Sequence, residues 1–86
     1  MLTLESRMER GCVIVEASGE FTSYQFGRFT SMVRQEVVPG IRKVIVDASG
    51  LEHMTASALA ELAEIQCILA ESGCRLILVG LTFQVR

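Results

Sequence analysis

The stretch "KVIVDASGLEHMTASALAELAEIQCILAES", residues 43–72, decides the fold class. It opens with the apolar run "KVIVDA", which reads as a strand covered on both faces. It closes with Ala58, Leu62, Ile65 and Leu69 at i, i+4, i+7 and i+11, the core stripe of a helix. Gly73 stands where a left-handed C-cap ends such a helix. "RLILVG", residues 75–80, is a further strand. Strand, helix and strand in this order make a parallel βαβ unit with a right-handed crossover.

Working outward, Leu2, Leu4 and Met8 share one parity and mark a half-buried strand, with Ser6 breaking the apolar row. Glu9-Arg10-Gly11 turns the chain into a second strand, "CVIVEA", and so short a link pairs the two strands antiparallel. "SGEF", residues 18–21, reads as a turn before a first helix. There Thr22 and Gln25 have capping-box spacing, and Phe21 and Phe26 that of a hydrophobic staple. Phe26, Phe29, Val33 and Val37 follow on one helical face, and Val38-Pro39-Gly40 ends the helix. The predicted fold is α/β, one small domain over residues 1–86. It has a small mixed sheet built from an N-terminal hairpin and a βαβ unit, with helices packed on the sheet.

With 86 residues, half of them hydrophobic, the chain has material for one core. Ten acidic and eight basic side chains give a formal charge of -2, with no Lys/Arg run to meet nucleic acid or an anionic membrane. Cys12, Cys67 and Cys74 lack the short pairing of zinc sites and read as reduced packing residues. The N-terminus has no signal-peptide layout, and no apolar run reaches the length of a membrane span. The expectation is a cytoplasmic protein whose partner is another protein.

In open α/β sheets the functional crevice lies beyond the carboxyl ends of the parallel strands. Residues 47–57 are expected to emerge there as a connection carrying Asp47, Ser49, Glu52, His53, Thr55 and Ser57. No G-x-S-x-G elbow surrounds Ser57, and Asp47, Glu52 and His53 form no recognised metal-ligand spacing. No glycine-rich loop is present to cradle a phosphate, and no cofactor is expected. Thr55 and Ser57 remain as two hydroxyls at a helix mouth. One of them caps the first turn. The other is open to solvent or to modification, since a phosphate there would face unpaired amides and the positive end of the helix dipole.

Nearly the whole chain resembles the STAS domain of bacterial anti-sigma factor antagonists, on "SGEF", "VIVDASGLEHMTASALAEL" and "GCRLILVGLTFQVR". The family usually carries Asp-Ser-Ser-Gly-Leu where this chain has Thr55-Ala56-Ser57-Ala58-Leu59. The resemblance implies no catalytic activity and assigns the phosphate-accepting serine to Ser57. It also implies partner switching with an anti-sigma factor that is a serine kinase, reset by a phosphatase. It further implies a last helix that this chain is expected to lack. A second reading keeps the fold without phosphorylation, as a subunit of a stress-sensing scaffold or of a lipid-transport ATPase. For either reading the partner-binding candidates are Asp47, Thr55, Ala58, Ala60, Glu61, Glu64 and Ile68. Asp47 and Thr55 would shape the loop, and the residues of the second helix would form an apolar strip edged by acids.

Overall fold

The computed structural model describes residues 2–81. Its first turn is fixed by two residues: Arg10 (φ 48) and Gly11 (φ 78) both take left-handed backbone, as the tightest hairpin turns demand. They join strand β1 (Leu2–Glu9) to β2 (Cys12–Phe21), which pair antiparallel from Glu9↔Cys12 to Leu2↔Gly19. A 3-10 turn (Ser23–Gln25) leads into α1 (Phe26–Glu36), followed by β3 (Lys43–Met54), α2 (Ala56–Glu71) and β4 (Arg75–Val79). The sheet order is β1-β2-β3-β4, with β2, β3 and β4 mutually parallel. The expected mixed sheet, hairpin and βαβ unit are all present.

Phe21 links the sheet to α1. Its ring lies 6.2 Å from Phe26 and 5.5 Å from Phe29, so the staple forms as the spacing predicts. The capping box forms only in part. Gln25 Oε1 accepts the Thr22 amide at 3.1 Å, but it also takes the Thr22 hydroxyl, which therefore does not cap the helix. A 3-10 turn fills the gap, with the Gln25 amide donating to the Thr22 carbonyl. At the far end of α2, Gly73 (φ 77) closes the helix as expected. Its amide donates to Ala70 and that of Cys74 to Leu69, with Cys74 and Leu69 both buried beside the cap.

Two strand expectations are corrected. "SGEF" is not a turn, because β2 runs through it to Phe21. Nor does β3 stop at Ala48: it continues to Met54 by pairing Gly50, Leu51, His53 and Met54 with Ser18 to Phe21. Two register shifts place the extra residues on β3 as bulges. Hydrogen bonds to β2 thus carry the strand across Ser49-Gly50, which local propensity reads as a breaker.

The core lies on one side of the sheet. Val13, Val15, Ala17, Val44, Val46 and Ala48 pack under Phe29 and Val33 of α1 and Ala58, Leu62 and Leu69 of α2. Two right-handed crossovers that step in the same direction put both helices on the same face. Cover on both faces of β3 is therefore corrected. Ile45 aligns with Ile14 and Ile77 on the opposite, open face, and none of the three belongs to the core. Met8, on the buried parity of β1, is 52% exposed. Ser6, which interrupts that row, donates to Glu36 Oε1 at 3.2 Å and ties β1 to α1.

Candidate functional site

β2 and β3 end side by side, with Phe21 opposite Met54, and the Thr55 amide donates to the Phe21 carbonyl at 3.1 Å. The chain is anchored there before it turns into α2. Thr55 is extended (φ -79, ψ 154) and is the N-cap: its Oγ1 accepts the Ala58 amide at 3.2 Å, and its carbonyl accepts the Leu59 amide at 3.1 Å. The first intrahelical bond thus begins at Leu59, so the amides of Ala56 and Ser57 precede the helical ladder. Ser57 is exposed in this first turn, its Oγ 3.2 Å from Thr55 Oγ1. The division of labour left open by the sequence is decided: Thr55 caps, and Ser57 faces outward.

Ser57, Glu61, Glu64 and Ile68 stand at i, i+4, i+7 and i+11 and share one flank of α2. Ile68 is 61% exposed, and Glu64 and Ala60 are exposed. Glu61 is half-buried, and its Oε2 is enclosed without a hydrogen-bond partner among the described residues. Ala58 is corrected: it is fully buried, its methyl packed in the core, and it offers nothing to a partner.

Asp47 is also corrected. It sits within β3, level with Glu16 and Val79, on the open face of the sheet. It lies opposite Glu16 while Met54 lies opposite Phe21, five steps of β2 or roughly 17 Å along the sheet, so it does not shape the helix mouth. There it lines a polar depression of about 330 Å³ with Glu5, Glu16 and Ser49. The Ser49 amide donates to Asp47 Oδ1 at 3.0 Å, and this bond holds the Asp47 carboxyl below its ordinary range. His53 and Glu52 are strand residues of β3 rather than loop residues.

Tyr24 is a residue that sequence reasoning missed. It is 96% exposed in the 3-10 turn directly after Phe21, at the same end of the sheet as Thr55. The available signal was an aromatic placed inside a capping box, between two residues already committed to the core. Of the cysteines, Cys74 is buried and its thiol is pushed up by desolvation, Cys12 is half-buried, and Cys67 is exposed on α2, against the expected packing role. Among the described residues, no group of His, Cys, Asp and Glu is placed to hold a metal ion, and no helix is long and apolar enough to cross a membrane.

Comparison with known proteins adds the family. A family model described as "Mlab, STAS domain" matches residues 4–86. Residues 82–86, the end of that match, lie outside the described residues. No curated protein matches the sequence. A crystal structure of an antisigma-factor antagonist, STAS domain, from Rhodobacter sphaeroides superposes with a TM-score of 0.71 at 15% identity. That match covers 92% of this chain and 86% of the other. A crystal structure described as Mglu superposes with a TM-score of 0.74 at 16% identity, covering 86% of this chain but only 18% of that one. At these identities the likeness shows the fold alone.

Proposed function

Since the chain belongs to the STAS domain family, we propose that it is a regulatory protein-binding domain without catalytic activity of its own, governed by phosphorylation of Ser57. The observation that carries this reading is the pairing at the helix mouth, where Thr55 supplies the cap and leaves the Ser57 hydroxyl outward. A phosphate on that oxygen brings about -1.5 to -2 charges to a surface already bordered by Glu61 and Glu64. It would sit beside the positive end of the α2 dipole, so the fold tolerates it. A partner docked over the same flank would be repelled. The domain thus signals by changing the sign of a contact rather than its own shape.

The alanine at position 58, where the resembled family carries glycine, supports this reading, because its buried methyl adds no bulk at the surface. The partner on this reading is an anti-sigma factor with serine kinase activity, opposed by a phosphatase, in the cytoplasm of a bacterium. The deciding experiment incubates the domain with ATP and serine kinases encoded beside it and reads intact mass. A single phosphate adduct that disappears in Ser57→Ala is expected, and an unmodified mass with every kinase would count against the switch.

A second reading is a constitutive, unphosphorylated subunit of a stress-sensing scaffold or a lipid-transport ATPase. It is favoured by Thr55, which stands where the resembled family carries an acid and leaves the serine hydroxyl a neutral neighbour. On that reading the partner binds the flank with or without ATP, and Ser57→Asp weakens the complex without any modification of the wild type.

A further inference from the structure

The face of the sheet turned away from both helices carries a stripe of isoleucine between two ends of opposite charge. Ile14, Ile45 and Ile77 stand level on β2, β3 and β4, with Arg7 of β1 at the end of their row. Two residues toward the start of β3, the row holds Lys43 and Arg75, then Cys12 and Glu9. Two residues the other way it holds Asp47, Glu16 and Glu5, with Val79 on β4. Arg7 is already engaged within the face, 2.6 Å from Glu16 and 3.6 Å from Glu9. Among the described residues Lys43, Arg75, Glu5 and Asp47 make no ion pair, which leaves one end of the face positive and the other negative. We propose that this face pairs with the same face of a second copy of the chain, in a two-fold dimer that sets Lys43 and Arg75 of each copy against the Asp47 end of the other.

Charge and shape both select a second copy. A partner of one sign would match one end of the face and be repelled by the other, whereas a copy turned end over end presents the required signs at both. Lys43 and Asp47 lie two residues either side of Ile45. A two-fold axis running across the strands at Ile45 therefore sets isoleucine over isoleucine and each Lys43 over the other copy's Asp47. Arg75 then lies over Val79, one strand from the same carboxylate. The acidic end is hollow, a depression of about 330 Å³ bounded by Glu5, Glu16 and Asp47, and the exposed Lys43 side chain of the other copy fills it. β1 forms the rim: Arg7 comes over the other Arg7, each neutralised by Glu16 and Glu9, and Glu5 comes nearest the other Glu9 in water. Branched side chains on two such faces interdigitate with strands within about 30° of each other. Four strands about 4.8 Å apart make a small face, which suits a reversible dimer rather than an obligate one. The helices lie outside this dimer, so both Ser57 mouths and both α2 flanks stay free for a partner.

The test is sedimentation of the purified chain over a range of concentrations, with amide shifts followed on dilution. Wild type should move from the mass of one chain toward twice that mass as it is concentrated, less so at high salt, with shifts at Ile14, Ile45 and Ile77. Lys43→Glu and Asp47→Lys should each weaken the dimer about tenfold or more by setting like charges together. An equimolar mixture of the two variants should recover it, because every contact between unlike copies again joins a lysine to an acid. Lys43 is exposed, so Lys43→Glu keeps the fold, and circular dichroism checks both variants. A wild type that stays monomeric at every concentration, a Lys43→Glu variant that dimerises as well as wild type, or folded variants whose mixture stays monomeric would each overturn the proposal. Dilution shifts confined to α2 would do the same. Ser57 lies on the helix side of the sheet, so Ser57→Asp should dimerise like wild type, and phosphate uptake is read separately.

Discussion

Thr55 Oγ1 and Ser57 Oγ lie 3.2 Å apart at the start of α2, yet only the first accepts a helix amide, that of Ala58. Two chemically similar hydroxyls, two residues apart, are thereby given different work. The N-cap position has extended backbone and aims its side chain back at the third amide of the helix. Ser57, two positions later, is already helical, and its exposed hydroxyl meets Thr55 Oγ1 rather than an amide.

Thr55→Ala should therefore destabilise the domain by about 1 kcal/mol, since no neighbour replaces the lost acceptor. Thr55→Asp should restore it, because a carboxylate caps as well and favours the helix dipole. Urea unfolding of the three proteins, with unchanged slopes, checks both changes.

Ser57→Asp should leave unfolding within a few tenths of a kcal/mol of wild type, or slightly raise it, because an acid in the first turn suits the dipole. The same change should lower partner affinity. Calorimetric titration with the partner, paired with thermal melts, reads the two effects separately. Equal affinity with equal stability would contradict the proposed use of this surface.

Arg10 is a left-handed non-glycine residue in a two-residue hairpin turn. Arg10→Asn creates Asn-Gly, the pair best suited to such a turn, and should stabilise the fold by about 1 kcal/mol. A raised melting temperature with unchanged spectra is the expected outcome.

Asp47 supplies a pH dependence. Bonds from Ser49, backbone amide first, hold its folded-state pKa below the ordinary aspartate value of 3.8. Its contribution is therefore complete above pH 3.8 and disappears as pH falls through the lower folded value. Asp47→Asn keeps an acceptor for the Ser49 amide but cannot titrate, so melts taken down this acid range should lose less stability in the variant. Parallel curves for the two proteins would show that Asp47 adds nothing.

Much of this was legible in the residues themselves. The order of strands and helices, the hairpin at Arg10-Gly11, the Phe21–Phe26 staple and the Gly73 cap all follow from spacing, turn chemistry and periodicity. So does a capped mouth for α2, since one of two hydroxyls ahead of its apolar stripe is expected to take a first-turn amide and Thr55 does. The buried parity of the strands was legible too, except at Met8, which is exposed.

What the sequence determined alone was local: which segments are strands, which are helices, and where each begins to bend. What only the tertiary structure decided was pairing and cover. β3 reaches Met54 because β2 lies beside it to receive its hydrogen bonds, and this leaves Asp47 in mid-strand, far from Ser57. Ile45 is left uncovered because both crossovers pass over the same side of the sheet. Such contacts join residues distant along the chain, and short-range periodicity carries no record of which face a distant helix will occupy.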